Sequence, residues 1–225
     1  MVPLPHHFFD LTTFAHQALF EKVNPVWQAL DHLKNYLNTC SLGKIEVHIP
    51  QGVTLIHPEK ISIGEGTVVE SGAFIEGPCL IGKNCHIRHG AYLRPYLITG
   101  DACVLGHCSE LKHTVLLNGA CAPHFNYVGD SLIGNRVNLG AGVICANLRL
   151  DKKEVVAQWG KEKRKTGLKK FGAVIGDDTQ LGCNSVLNPG LLLRKKTLSR
   201  ACSSLQHSNW TAPVASSGLK ELASC

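Results

Sequence analysis

Residues 63–121 read IGEGTVVESGAFIEGPCLIGKNCHIRHGAYLRPYLITGDACVLGHCSELKHTVLLNGAC. Apolar side chains recur every sixth position at Ile63, Val69, Ile75, Ile81, Ile87, Leu93, Leu105, Leu111 and Leu117, with Thr99 in the remaining slot. Four residues after each stands a mostly small one: Thr67, Ala73, Cys79, Cys85, Ala91, Leu97, Cys103, Ser109, Val115 and Cys121. A period of six matches neither a helix of 3.6 residues per turn nor simple strand alternation. It is the hexapeptide repeat of a parallel β-helix, so the fold class is all-β.

A second period lies over the first. Gly64, Gly82 and Gly100 fall 18 residues apart, followed by Asn118. Gly and Asn tolerate positive φ, so one corner in three is expected to need it, with 18 residues per three-sided coil. Equivalent residues of successive coils then stack about 4.8 Å apart. The other two columns read Glu70, Arg88, Gly106, His124 and Glu76, Arg94, Lys112. Stacked cations repel, and a bound anion would relieve them. The cysteines in the small-residue slot read as buried, reduced, apolar filler rather than nucleophiles.

The register is expected to slip after residue 123, near His124–Asp130. A longer break, DKKEVVAQWGKEKRKTGLKK (151–170), holds eight Lys/Arg against three Asp/Glu and supplies most of the chain's net charge of +6. It is expected to hold the phosphate-rich end of a ligand, coenzyme A or a sugar nucleotide, whose closure over Trp159 would change the fluorescence of that ring. Coils resume with GAVIGDDTQLGCNSVLNPG (172–190). Upstream, Leu11, Phe14, Ala15, Ala18 and Leu19, then Trp27, Leu30, Leu33 and Leu37, have helical spacing. Asp10 and Asn24 read as their caps, with Pro25 opening the second helix. The organisation expected is a helical cap over the end of the solenoid (1–44), a parallel β-helix (45–200) and a loose Ser/Ala-rich tail (201–225).

Composition narrows function. The basic excess is too small and scattered for a nucleic-acid binder. No apolar run approaches the ~20 residues of a membrane span. The start lacks the basic and apolar regions of a secretory signal, so a cytoplasmic location is expected. His124, at the register slip and near Arg94 and Lys112, suits a general base on an anionic substrate, since neighbouring cations disfavour imidazolium.

The stretches AYLRP (91–95), SELKH (109–113) and APHFNYVGDSLIGNRVNLGAGVICAN (122–147), with the lysines at 152–153, resemble the acetyltransferase domain of bacterial bifunctional N-acetylglucosamine-1-phosphate uridyltransferase/glucosamine-1-phosphate acetyltransferase. The resemblance implies a left-handed β-helix, a homotrimer with sites between chains, and acetyl-CoA as co-substrate without a metal. It implies acetyl transfer to glucosamine 1-phosphate or a related amino-sugar phosphate, feeding UDP-N-acetylglucosamine and cell-envelope synthesis. Carried over by position, His124 is the base. Arg94, Lys112, Tyr127, Asn138 and Lys153 are sugar-phosphate ligands, and Ala141, Asn147 and Cys183 contact acetyl-CoA. Cys183 stands where that family has serine, and Leu148 where it has tyrosine. No Gly-rich phosphate loop opens an α/β domain, so the nucleotidyltransferase half is expected to be missing. Residues 172–190 also resemble stand-alone sugar-nucleotidyltransferase-like hexapeptide proteins. Two other classes stay open. One is a zinc enzyme using His89 and His107, 18 apart, with His124 one position off their column. The other is a non-catalytic module that binds a sugar nucleotide.

Overall fold

The computed structural model describes residues 1–206. They form a left-handed parallel β-helix of about 8 turns. Its three faces are parallel sheets of eight, seven and six strands, in which every strand pairs with the equivalent strand of the next coil. Face A runs from Ile61–Ile63 to Leu191–Leu193, face B from Thr54–Ile56 to Ser204–Leu205, and face C from Val68–Val69 to Gln180–Leu181. The solenoid therefore extends to the strand Ser204–Leu205, past the expected boundary at residue 200. The loose tail expected from residue 201 otherwise lies outside the described residues.

The sixfold positions point inward. Ile63, Val69, Ile75, Ile81, Ile87, Leu93, Leu105 and Leu111 are buried in one continuous core, with Cys79, Cys85 and Cys103 among them. Burial pushes the Cys79 thiol up to about 12, as befits filler rather than a nucleophile. Thr99 is buried too, where its hydroxyl accepts the Gly82 N–H at 3.0 Å.

The register changes earlier than the sequence reading placed it. Cα partners are 18 apart from Ile61–Cys79 through Leu93–Leu111, 17 apart from Leu97–Thr114 through Val128–Cys145, and 18 apart again from Ala173–Leu191. The corners Lys112–Thr114 and Gly129–Ser131 are each one residue short. Leu116, not Leu117, takes the inner slot, and Ala120 replaces Cys121 there. Leu117 turns outward, and Cys121 becomes half-buried.

The Gly64/Gly82/Gly100 column is also explained differently. None of the three has positive φ. A Cβ on Gly82 would lie 2.3 Å from the Gly100 carbonyl oxygen, so the column is glycine because backbones of successive coils approach too closely for a side chain. Leu117 follows Gly100 in the column, and Asn118 stands over Asp101, accepting its N–H and donating to the Thr13 carbonyl. The left-handed residues sit two positions on, at Gly66, Asn84, Ala102, Gly119 and Arg136.

The N-terminal segment does not cap the solenoid end. It lies along face A, whose outward side chains Ile98, Val115, Leu132, Val174 and Leu192 are apolar and covered by it. Only the second expected helix forms in full: α1, Gln28–Thr39, starting after Trp27 rather than Asn24. The Leu11–Leu19 stretch folds as turns with a short 3-10 segment, Gln17–Phe20. α1 buries Ala29, Leu30, Leu33 and Leu37, and its three leucines contribute roughly 6 kcal/mol of transfer free energy. A polar clamp fixes the segment. The Asp177 N–H donates to the Phe8 carbonyl, the Asp10 N–H to the Asp177 carboxylate, and the Asn135 amide to the Asp10 carbonyl.

Residues 151–170 contain an antiparallel hairpin, Val156–Trp159 paired with Glu162–Lys165. It docks on the N-terminal segment through Val155, Ala157 and Trp159. The Trp159 ring already packs against Phe8 at 4.9 Å, with the Arg194 guanidinium 4.3 Å from its centre. The ring is thus covered by the protein's own Phe8 and Arg194.

Candidate functional site

Two corner columns carry the candidate chemistry. The first, where face B turns into face A, stacks Tyr96, His113 and Asp130, all in left-handed backbone. Asn147 is next in the column, 17 residues after Asp130. Asp130 is almost fully buried. Its carboxylate takes hydrogen bonds from His113 Nδ1 at 2.8 Å and from the Asn147 amide, and Lys112 Nζ lies 3.6 Å away. Burial alone would raise its pKa. The two hydrogen bonds and the lysine charge outweigh that, and the carboxyl lies below the usual range. The Asn147 amide also reaches the Tyr127 hydroxyl at 3.2 Å. Burial, then the carboxylates of Glu110 and Asp130, push the Tyr127 phenol up. This bridge passes over Gly129, where a Cβ would meet Asn147 Nδ2 at 2.5 Å and the Tyr127 oxygen at 2.7 Å.

Beside this column opens a pocket of about 440 Å³, lined by Lys34, Glu76, Tyr92, Arg94, Tyr96, Lys112, His113 and Asp130 among others. The sequence-predicted Arg94 and Lys112 therefore meet in one pocket, with Tyr127 and Asn147 behind Asp130. Asn147, read from the sequence as an acetyl-CoA residue, belongs to this group. The cations are not left in repulsion. Arg94 pairs with Glu110 at 2.7 Å, and Lys112 faces Asp130. Lys34, on α1, escaped the sequence reading as a site residue. Its only signal there was a charge beside the apolar stripe.

The second column, where face C turns into face B, stacks His89, His107 and His124. His107 and His124 are Cα partners, and the His89 and His107 rings stack 5.9 Å apart. The 17-residue coil thus puts His124 on the column of the other two histidines, not one position off, and Pro123 rather than His124 stands over Gly106. Ala141 and Cys183 continue the column: the Gly142 N–H donates to the His124 carbonyl and the Asn184 N–H to the Ala141 carbonyl. His124 is exposed, and its imidazole makes no hydrogen bond or ion pair among the described residues. It is not among the residues lining the Arg94–Lys112 pocket. Asn126, missed as a functional residue, fixes this corner. It is buried, accepts the His124 N–H at 3.2 Å and donates to the Gly140 carbonyl at 2.8 Å. Among the described residues, no three His, Cys, Asp or Glu side chains converge as a metal site requires.

Asn138 stands on the outer surface of face C, three residues before Ala141, away from the pocket. Lys153 is exposed past face B, its N–H bonded to Asp151. Near it lies a second cleft of about 700 Å³, lined by Leu148, Arg149, Asp151, Val156, Lys163 and Pro189 among others. Arg149 is paired with Asp151 at 2.7 Å; Lys163, from the hairpin, has no ion pair among the described residues.

A three-sided hexapeptide solenoid with polar side chains gathered at two corners defines the class. Residues 75–207 match the family described as the GMPPB C-terminal domain, more than half of the chain, and the chain belongs to that family. It is 35% identical over 180 residues to a bifunctional sugar-1-phosphate nucleotidylyltransferase/acetyltransferase of Sulfurisphaera tokodaii, covering 78% of this chain and 43% of that protein. It is 31% identical over 179 residues to the bifunctional protein GlmU of Listeria welshimeri, covering 62% of this chain and 35% of that one. The chain thus spans less than half the length of these relatives. Among solved structures, a UDP-N-acetylglucosamine acyltransferase of Francisella novicida aligns with a TM-score of 0.39 at 16% identity, over 68% of this chain and 60% of that one. No helix among the described residues is long and apolar enough to cross a membrane.

Proposed function

We propose that the chain is an acetyl-CoA-dependent N-acetyltransferase acting on glucosamine 1-phosphate or a related amino-sugar phosphate. The observation that carries this reading is the Arg94–Lys112 pocket, backed by the Tyr127–Asn147–Asp130 network, with an unbonded histidine at the neighbouring corner. Sugar phosphate would lie against Arg94 and Lys112, with Tyr127 beside it. His124 would take a proton from the 2-amino group as its nitrogen attacks the thioester carbonyl. The C–N bond forms, the C–S bond breaks, and the thiolate of coenzyme A leaves and is protonated. Direct transfer of this kind needs no covalent enzyme intermediate, which agrees with the burial of Cys79, Cys85 and Cys103.

The cleft containing Leu148 and Lys163 is suited to coenzyme A, with Ala141 and Cys183 nearer the base. Asn138 and Lys153 are off the pocket within one chain, and their proposed sugar contacts need a neighbouring subunit. A homotrimer supplies one. Face A is already covered, whereas Val68 on face C, Tyr92 on face B and Phe125 at the corner between them are 54%, 39% and 56% exposed. Light scattering should give three times the chain mass, and a monomer at micromolar concentration would count against shared sites. The cytoplasm is the proposed location.

The test of the function is turnover of glucosamine 1-phosphate with acetyl-CoA, followed by thiol release. Absence of turnover with retained sugar-nucleotide binding would favour the non-catalytic module, a reading supported by Leu148 and Cys183 at two acetyl-CoA positions.

A further inference from the structure

We propose that Lys34 of α1 is a ligand-binding side chain of the Arg94–Lys112 pocket, and that it holds the phosphate of the substrate from the side opposite the solenoid. The inference rests on the reading of this pocket as the sugar-phosphate site and adds to it a cation from outside the coils.

The argument is one of available charge. Arg94 is committed to Glu110 at 2.7 Å, and Lys112 shares Asp130 with His113 and Asn147. A ligand phosphate can draw on these two only in competition with carboxylates already in place. Lys34 lines the same pocket and makes no ion pair among the described residues. Asp31, three residues earlier on the helix, does not pair with it either. The Lys34 ammonium stands 5.9 Å from the centre of the Tyr96 ring, a contact that steers the side chain over the corner column without neutralising it. Among the described residues, it is the one lining cation able to give its whole charge to a ligand.

The helix that carries it is fixed rather than free. Leu30, Leu33 and Leu37 are buried on face A. Tyr36 is bonded to His16 at 3.0 Å, and the segment is tied to Asp177 and Asn135 at its start. Lys34 lies at the edge of the buried stripe, so its backbone is held while its side chain reaches the pocket mouth. A lysine, a compact point charge on a flexible stem, suits a phosphate that must enter and leave. Residue 34 lies outside the residues that match the family, 75–207, so the contact belongs to this chain's own N-terminal segment.

The test is titration calorimetry of glucosamine 1-phosphate, inorganic phosphate and glucosamine into the full chain and into Lys34→Met, Lys34→Arg, Arg94→Ala and Lys112→Ala. Loss of one bond to a charged group predicts that Lys34→Met weakens both phosphate ligands about 10- to 100-fold. It should flatten their salt dependence, leave glucosamine binding and the melting temperature unchanged, and be largely rescued by Lys34→Arg. Unchanged phosphate affinity in Lys34→Met, with weakening in Arg94→Ala and Lys112→Ala, overturns the Lys34 assignment alone. If none of the three variants weakens phosphate binding, the pocket itself is misread and the assignment falls with it.

Discussion

Asp130 is the residue whose removal should cost the site most, and its environment sets the size of the effect. Asp130→Ala deletes an almost fully buried carboxylate that accepts from His113 and Asn147 and faces Lys112. Hydrogen bonds to a charged group contribute about 1.5–3 kcal/mol each, so the two direct ones set an upper range of about 3–6 kcal/mol. Some of this returns. Asn147 keeps the Tyr127 hydroxyl, and His113, with a quarter of its side chain exposed, regains water. A net loss of about 3 kcal/mol remains, which for a chain of this size lowers the melting temperature by about 6–12 °C. Circular dichroism melts at several pH values provide the assay. The folded-state pKa of Asp130 is depressed, so its ionic contribution is complete above the ordinary carboxyl value of about 4 and is lost as pH falls through the lower folded value. The gap between wild type and Asp130→Ala should therefore be constant from pH 7 to about 5 and shrink on further acidification. A drop below about 2 °C at pH 7, or a gap that widens with acid, would refute the reasoning.

His124→Ala should lower the acetyl-transfer kcat by about 10²–10⁴ without moving the melting temperature, because the imidazole is exposed and unbonded; near-normal turnover would remove it as base. Gly129→Ala should displace Tyr127 and Asn147 and raise KM for the sugar phosphate, measured by steady-state kinetics, because the added Cβ lands within 2.7 Å of both. Neutralising Lys161, Lys163, Arg164 and Lys165 together should weaken coenzyme A binding and reduce its salt slope; Lys163 alone should account for most of this, since it is the one of the four that lines the second cleft.

The period of six was legible because each inward position must be apolar and each corner must turn. That constraint prints itself on every coil. The short corner was hidden because two leucines, Leu116 and Leu117, stand side by side. Either can continue the pattern, and only the pairing of Leu116 with Thr99 decides between them. The site of the N-terminal segment had a signal of a different kind. Ile98, Val115, Leu132, Val174 and Leu192 are apolar at outward positions, which a wall facing water would not carry. The Leu11–Leu19 stripe misled in the opposite direction: its spacing is helical, but the chain there follows the solenoid wall in turns. Arg94 and Lys112 line one pocket, and Tyr127 is joined to it through Asn147 and Asp130. Their carboxylate partners did not show in the sequence columns, because Glu110 reaches Arg94 diagonally and Asp130 enters only after the register change.

That change of register is what assembles both corners. If every coil had 18 residues, His124 would stack on Gly106, and Asp130 on Lys112. With coils of 17, His124 falls on His107 and leads to Ala141 and Cys183, while Asp130 falls on His113, above Tyr96 and below Asn147. The short corner at Lys112–Thr114 aligns the proposed base with the proposed acetyl-CoA side, and a second short corner at Gly129–Ser131 sets the buried carboxylate over His113. One residue added in the Lys112–Thr114 corner would be absorbed there, since the preceding coil carries three residues, Arg94–Tyr96, at the same place. It would shift Lys112 and His113 relative to Asp130 while leaving His124 paired over His107. Loss of phosphate binding from such an insertion should therefore exceed its cost in stability, and the Arg94–Lys112 corner should fail while the histidine corner stays intact.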